Sequence, residues 1–185
     1  MNNRMNLYFI AIVPPRGLRQ QVFEFKEEMR ARFRAGHALK SPAHITLQKP
    51  YKRFSEEEDT MADALTMFAG SERPFNIVLD GFGSFAPRVI FVKVTDTDPV
   101  VSLHARLREM LLTKLHFSRD EIMKDVQPHI TIATRDLTPE TFHDAWAEKK
   151  DQVFRGSFTV SSICLMKHNG KNWDLLKEFP FGDNE

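Results

Sequence analysis

Hydrophobic positions along the chain follow two periods, and the switches between them mark out its elements. Leu7 to Val13 mixes β-branched, aromatic and aliphatic residues and stops at Pro14-Pro15, the pattern of a buried strand. Leu18, Val22, Phe25, Met29 and Phe33 then recur at helical spacing, which predicts an amphipathic helix that Gly36 closes. A strand over Ala43 to Lys49 follows. Ser55-Glu56-Glu57-Glu58 reads as a capped helix start leading into Met61, Ala64, Leu65 and Phe68, with Gly70 at its end.

The second part of the chain repeats this grammar. Phe75 to Leu79 predicts a strand, and Gly81 and Gly83 read as a turn or bulge, since Gly81-Phe82-Gly83 lacks the third glycine and helix of a dinucleotide site. Val89 to Val94 is a further strand. Asp98-Pro99 supplies a cap and first-turn proline for a helix with Leu103, Leu107, Met110, Leu111 and Leu115 inward. A strand over Gln127 to Thr134, a helix from Thr138 to about Lys150, one long strand from Phe158 to Lys167 and a last strand from Trp173 to Phe179 complete the reading.

The order strand, helix, strand, helix, strand therefore occurs twice, over about 7 to 79 and about 89 to 167. This is the signature of an internal duplication. With no linker or low-complexity stretch between the halves, the expectation is one domain over 1–185, built of pseudo-two-fold lobes at roughly 1–85 and 86–185 whose termini are free to cross over. Two such units facing each other would share a groove.

The third element of each half carries the same polar pair. Pro42-Ala43-His44-Ile45-Thr46-Leu47 and Gln127-Pro128-His129-Ile130-Thr131-Ile132 each place a histidine and a threonine two residues apart, hence on one face of a strand, with the apolar neighbours on the other. A lone triplet of this kind is most often a satisfied structural histidine. Its duplication reverses that judgement.

Composition narrows the chemistry. Among 185 residues, 42% are hydrophobic and 28% charged, as in an ordinary globular protein, and the net charge of +1 excludes a global basic field for duplex binding. The one cysteine, Cys164, excludes an internal disulfide or a thiolate-rich zinc site. The N-terminal apolar run is too short to span a bilayer, and no small-x-small cleavage site follows it, so the expected location is the cytoplasm, with no membrane partner.

Two imidazoles in one groove hold a protonated and a neutral form together near neutral pH, which is what concerted acid and base work requires. A phosphodiester, with oxygens arriving and leaving on opposite sides, suits them. Thr46 and Thr131 are placed to donate hydroxyl bonds to a phosphate. Strand alternation adds Gln48 to the first face and Arg135 to the second, as candidate substrate-binding residues. Lys49 and Lys52 begin on the wrong face or in a loop. A metal is not expected, because neither motif brings a carboxylate or cysteine at ligand spacing. Glu140 and His143 read as a helix surface, and Cys164 and Ser41 lack a triad. His37, His104, His116 and His168 have no repeated context.

The tandem tetrapeptides His44-Ile45-Thr46-Leu47 and His129-Ile130-Thr131-Ile132, in duplicated halves over nearly the whole chain, resemble the 2H phosphoesterase superfamily, and within it the bacterial RNA 2′,3′-cyclic phosphodiesterase and 2′-5′ RNA ligase group. The resemblance implies an α+β fold with two antiparallel sheets around a central cleft and helices outside. It also implies catalysis without a metal or other cofactor, RNA ends or cyclic nucleotides as substrates, and no obligatory protein partner, in a monomer. His44 and His129 would then be acid and base, in that order, with Thr46 and Thr131 holding the phosphate. Opening of a 2′,3′-cyclic phosphate is the leading expectation. A 2′-5′ RNA ligase or 2′-5′ phosphodiesterase using the same site, and an idle RNA-binding protein, are the alternatives.

Overall fold

A computed structural model of the chain describes residues 4–182. The described elements are β1 (Met5–Ile12), α1 (Arg16–Phe33), β2 (Ile45–Phe54), α2 (Glu58–Gly70), β3 (Phe75–Phe85), β4 (Val89–Val94), α3 (Asp98–Lys114), β5 (His129–Thr134), α4 (Pro139–Lys149), β6 (Arg155–Val160), β7 (Ser162–His168) and β8 (Trp173–Pro180), with a short 3-10 helix at His37–Lys40. The strands form two four-stranded antiparallel sheets, in the orders β2-β1-β7-β8 and β5-β4-β3-β6.

The two orders correspond strand for strand. The motif strands β2 and β5 form one edge of each sheet, and β1 and β4 lie next to them. Each half sends one strand into the other's sheet: β3, which follows α2, joins the sheet of β4, and β7, which follows α4 and β6, joins the sheet of β1. The helices cross in the same way. Helix α1, which connects β1 to β2, lies against β5 of the other sheet, and α3 lies against β2. Phe25 of α1 packs edge-on to Phe82 and Phe154, with ring centroids 5.2 Å away in each case. Both halves therefore share one hydrophobic core, which runs from Tyr8, Ile10, Ile45 and Leu47 through to Ile130, Ile132 and Phe158. Phe9, Ala11, Cys164 and Met166 form a separate small cluster on the opposite face of the first sheet, with Trp173 against it.

Several boundaries differ from the sequence reading, each for a local reason. Helix α1 is closed by Arg34, not Gly36: Arg34 adopts φ 57°, and the N–H groups of Arg34 and Ala35 return to the carbonyls of Arg30 and Met29. The run from Phe158 to Lys167 is two strands, because the chain leaves one sheet after Val160 and joins the other at Ser162. Glycine at 81 does mark a bulge: it sits at φ 68° where the pairing of β3 with β4 slips between Leu79 and Phe82, and the strand continues to Phe85. Thr97 precedes α3 as its cap position, and Asp98 falls in the first turn. Strand β2 begins at Ile45, so His44 stands just ahead of it.

Candidate active site

Both motif histidines are held by the same device. His44 Nδ1 lies 2.8 Å from the carbonyl oxygen of Pro42, and His129 Nδ1 lies 2.6 Å from that of Gln127. A carbonyl only accepts, so Nδ1 carries the proton in each neutral ring and Nε2 is left with the lone pair. In each case the ring also rests against a phenylalanine of the neighbouring strand. His44 is 4.8 Å from Phe9, and His129 is 4.9 Å from Phe91 and 5.1 Å from Phe85.

The cross-strand register explains these contacts. Thr46 pairs with Ala11, which pairs with Cys164; Thr131 pairs with Phe91, which pairs with Gly83. On the second sheet the Phe91 ring lies over Gly83, where an added Cβ would come within 2.5 Å of Cε2. Glycine there makes room for the ring that backs His129. Phe9 on the first sheet is backed by Trp173, 4.7 Å away.

A cavity of about 160 Å3 opens between the sheets. Its lining brings together His44, Thr46 and Trp173 from the side of the first sheet and Thr131, Thr134 and Arg135 from the second. His129 precedes Thr131 by two positions on β5, and its charge contributes to depressing His44. His37 and Lys40 of the 3-10 helix add to a lining that contains two cations, Lys40 and Arg135, two histidines and no carboxylate. Such a hollow favours an anion.

Burial dominates the electrostatics. It pushes His44 down to about 4, with smaller contributions in the same direction from the Lys26 ammonium and His129, while the bond to Pro42 works the other way. His129 is also lowered by burial, against its bond to Gln127. Burial lowers His37, as does the neighbouring Arg135. Burial pushes the Cys164 thiol up to about 12, which leaves it no nucleophilic character at neutral pH.

Of the six residues singled out from the sequence, His44, Thr46, Thr131 and Arg135 line this cavity, while His129 is not among its lining residues and stands two positions before Thr131 on β5. Gln48 does not. A bulge at Leu47, between the pairs Ile10–Gln48 and Ala11–Thr46, breaks the alternation and turns Gln48 away from the cleft. Its amide is 1% exposed and fully engaged elsewhere: Nε2 donates to the carbonyls of Glu121 at 2.9 Å and Lys49 at 3.2 Å, and Oε1 accepts from Met123 N–H at 3.1 Å. Gln48 fastens the connection between α3 and β5 to β2, and so do Lys49, which donates to Asp120 O, and Arg53, paired with Glu121 at 2.6 Å.

Sequence reasoning missed Phe9, His37, Lys40, Trp173 and Lys26. Lys26 did carry a signal: it lies four residues after Val22 and three before Met29, on the apolar stripe of α1, and it is 3% exposed with Nζ 2.9 Å from Ser41 O. Among the described residues no three His, Cys, Asp or Glu side chains converge as a metal site, and no helix is long and apolar enough to cross a membrane.

Known proteins match this chain in sequence and in fold. The model of the family described as "2'-5' RNA ligase superfamily" matches residues 14–172. A Bacillus cytotoxicus protein named "Putative phosphoesterase" is 32% identical over 157 residues, 83% of this chain and 87% of the relative. A Bacillus mycoides protein of the same description is 29% identical over 158 residues, again 83% and 87% of the two chains. Among solved structures, TT0787 of Thermus thermophilus superposes with a TM-score of 0.66 at 24% identity, covering 97% of this chain and all of the other. Escherichia coli LigT gives 0.65 at 20% identity, with the same coverage. The two-sheet fold, the paired motifs and the family match agree: the chain belongs to the 2′-5′ RNA ligase superfamily of 2H phosphoesterases.

Proposed function

We propose that this phosphoesterase opens 2′,3′-cyclic phosphates of RNA ends or nucleotides by two-histidine acid–base catalysis, without a metal. The observation that carries the reading is the matched pinning of two imidazoles through Nδ1, with Thr46 and Thr131 lining one basic cavity. In this reading Nε2 of one ring takes a proton from water as the water oxygen bonds to phosphorus. The phosphorus bond to the ribose 3′ oxygen breaks, and Nε2–H of the other ring protonates that oxygen, leaving a 2′-phosphate and a free 3′ hydroxyl. Thr46 and Thr131 donate to the non-bridging oxygens, and Lys40 and Arg135 offset their charge at the mouth.

The strong depression of His44 favours it as the base in this direction, with His129 as the acid. That order is the reverse of the one the family resemblance implies. The same groups serve ligation with their roles unchanged, a 5′ hydroxyl standing where water stands in hydrolysis, and they exchange roles in the reverse cleavage of a 2′-5′ linkage; the family's description gives this second reading its support. Escherichia coli LigT has been solved with 3′-AMP, NADP+, ATP and phosphate, all of which carry phosphate groups, the chemistry that this reading assigns to the cavity.

Product analysis tests the reading. The protein is incubated in EDTA with 2′,3′-cyclic nucleotides, cyclic-phosphate RNA ends, ADP-ribose 1″,2″-cyclic phosphate and 2′-5′ oligonucleotides. Conversion of the 2′,3′-cyclic substrates to 2′-phosphates is the expected result. Turnover of the 2′-5′ linkage alone replaces it with the second reading, and turnover abolished by EDTA and restored by a metal ion overturns the mechanism.

A further inference from the structure

A second cavity, of about 300 Å3, adjoins the first: Ser41 lines both. Pro42 and Ala43 continue its wall, and one face of α1 supplies the rest, with Arg16, Arg19, Phe23 and Lys26 at helical spacing. It contains three cationic side chains and no carboxylate. Among the described residues none of the three forms an ion pair, although seven other lysines and arginines do.

Two of the three are placed at a cost that an anion would relieve. Lys26 is 3% exposed, and of its three donors Ser41 O takes one. Arg19 Nε is shielded from solvent and has no hydrogen-bond partner. A buried charged donor without a partner is destabilising, and cations gathered without a counter-charge repel one another. Phe23 lies on the same wall with 47% of its surface exposed, a flat apolar ring beside the charged groups. Cations that track a phosphate next to a ring that can stack on a base are the two components of single-strand recognition.

We propose that this cavity holds the phosphodiester group next to the terminal phosphate of an RNA end, with the adjoining base against Phe23. The inference rests on the reading that the terminal phosphate lies between His44 and His129. Ser41 lines both cavities and stands three residue steps from His44, at most roughly 10 Å along the chain, so the second cavity begins within reach of the nucleotide next to a terminal phosphate at His44. Short RNA ends, rather than mononucleotides, then make full use of the site.

The test is fluorescence anisotropy with a labelled pentaribonucleotide ending in a 2′-phosphate, and with its twin carrying an uncharged methylphosphonate at the linkage next to that phosphate. Wild type, Arg16→Ala and Arg16→Ala/Arg19→Gln are compared; Arg16 is exposed, so its single variant keeps the test valid if the double variant fails to fold. Wild type is expected to bind the natural oligonucleotide about tenfold more tightly than its twin, and the variants to lose most of that difference. Equal affinity of the wild type for the two, binding of neither, or an undiminished difference in the folded variants overturns the assignment. Competition by free inorganic phosphate that equalises the two without releasing the oligonucleotide points to a free-anion site and also overturns it. Turnover of a cyclic mononucleotide is measured separately, so that failure of the catalytic reading is told apart from failure of this cavity.

Discussion

His44 gives its Nδ1 to the carbonyl oxygen of Pro42, two residues upstream, at 2.8 Å, and His129 repeats the arrangement with Gln127. The two rings thus leave the same nitrogen, Nε2, with its lone pair, although they stand on different sheets. Nitrogen-15 NMR of the imidazoles at about pH 7.5 is expected to show both neutral and protonated at Nδ1. A predominant Nε2–H tautomer in either ring contradicts the arrangement.

The pH dependence follows from the depressed histidines. The proposed mechanism needs one neutral and one protonated imidazole, and with no substrate bound both lie below their ordinary value, His44 at about 4. The required proton is therefore lost as pH rises through a value below the usual histidine range. On a 2′,3′-cyclic nucleotide, kcat/KM is expected to peak below about pH 6.5 and fall on the alkaline side. The bound anion favours the protonated rings, so kcat peaks at higher pH than kcat/KM. A kcat/KM profile that keeps rising through about pH 8 contradicts this account.

Gly83 acts on the site through Phe91. A methyl group at 83 would stand 2.5 Å from Cε2 and 2.7 Å from Cζ of that ring, which backs His129 at 4.9 Å. Gly83→Ala must therefore displace the ring, and kcat/KM is expected to fall roughly 10- to 100-fold in a protein that remains folded by circular dichroism. Unchanged kinetics would show that His129 does not depend on Phe91 for its position.

Gln48 is a fastening for the connection between α3 and β5, so its loss is expected to appear as stability rather than as binding. Gln48→Ala leaves Glu121 O and Met123 N–H without their buried partner, a cost of about 2–3 kcal/mol in urea unfolding. KM for a cyclic nucleotide is expected to stay within about twofold of wild type, since the amide does not border the cavity. A tenfold rise in KM at unchanged stability would return Gln48 to the binding site.

What the sequence made legible was local. Period-two and period-3.6 patterns placed α1 to α4 and nearly every strand, and the repeated His-x-Thr pair pointed to His44, Thr46 and Thr131, which line one cavity, and to His129 on the same strand as Thr131. Three features depend on partners distant in sequence and left no local trace. The bulge at Leu47 reverses the direction of Gln48, and only the pairing with β1 reveals it. The change of sheet at Ser161 is invisible to a pattern that records which face is apolar but not which sheet it covers. The aromatic supports of the histidines, Phe9 and Phe91, read as ordinary core residues because the rings they touch come from other strands. The lysine on the apolar stripe of α1 was the one discord that could have been read in advance, since a buried charge breaks the pattern around it.

The central claim is that His44 and His129 both move protons in one metal-free reaction, and the most direct measurement is the rate of 2′,3′-cyclic nucleotide opening by His44→Ala and His129→Ala in EDTA. Each variant is expected to lose roughly 10²- to 10⁴-fold in kcat, with the double variant little worse than either, because the two groups act as a unit. Wild-type turnover by either variant, both being folded, would contradict the account.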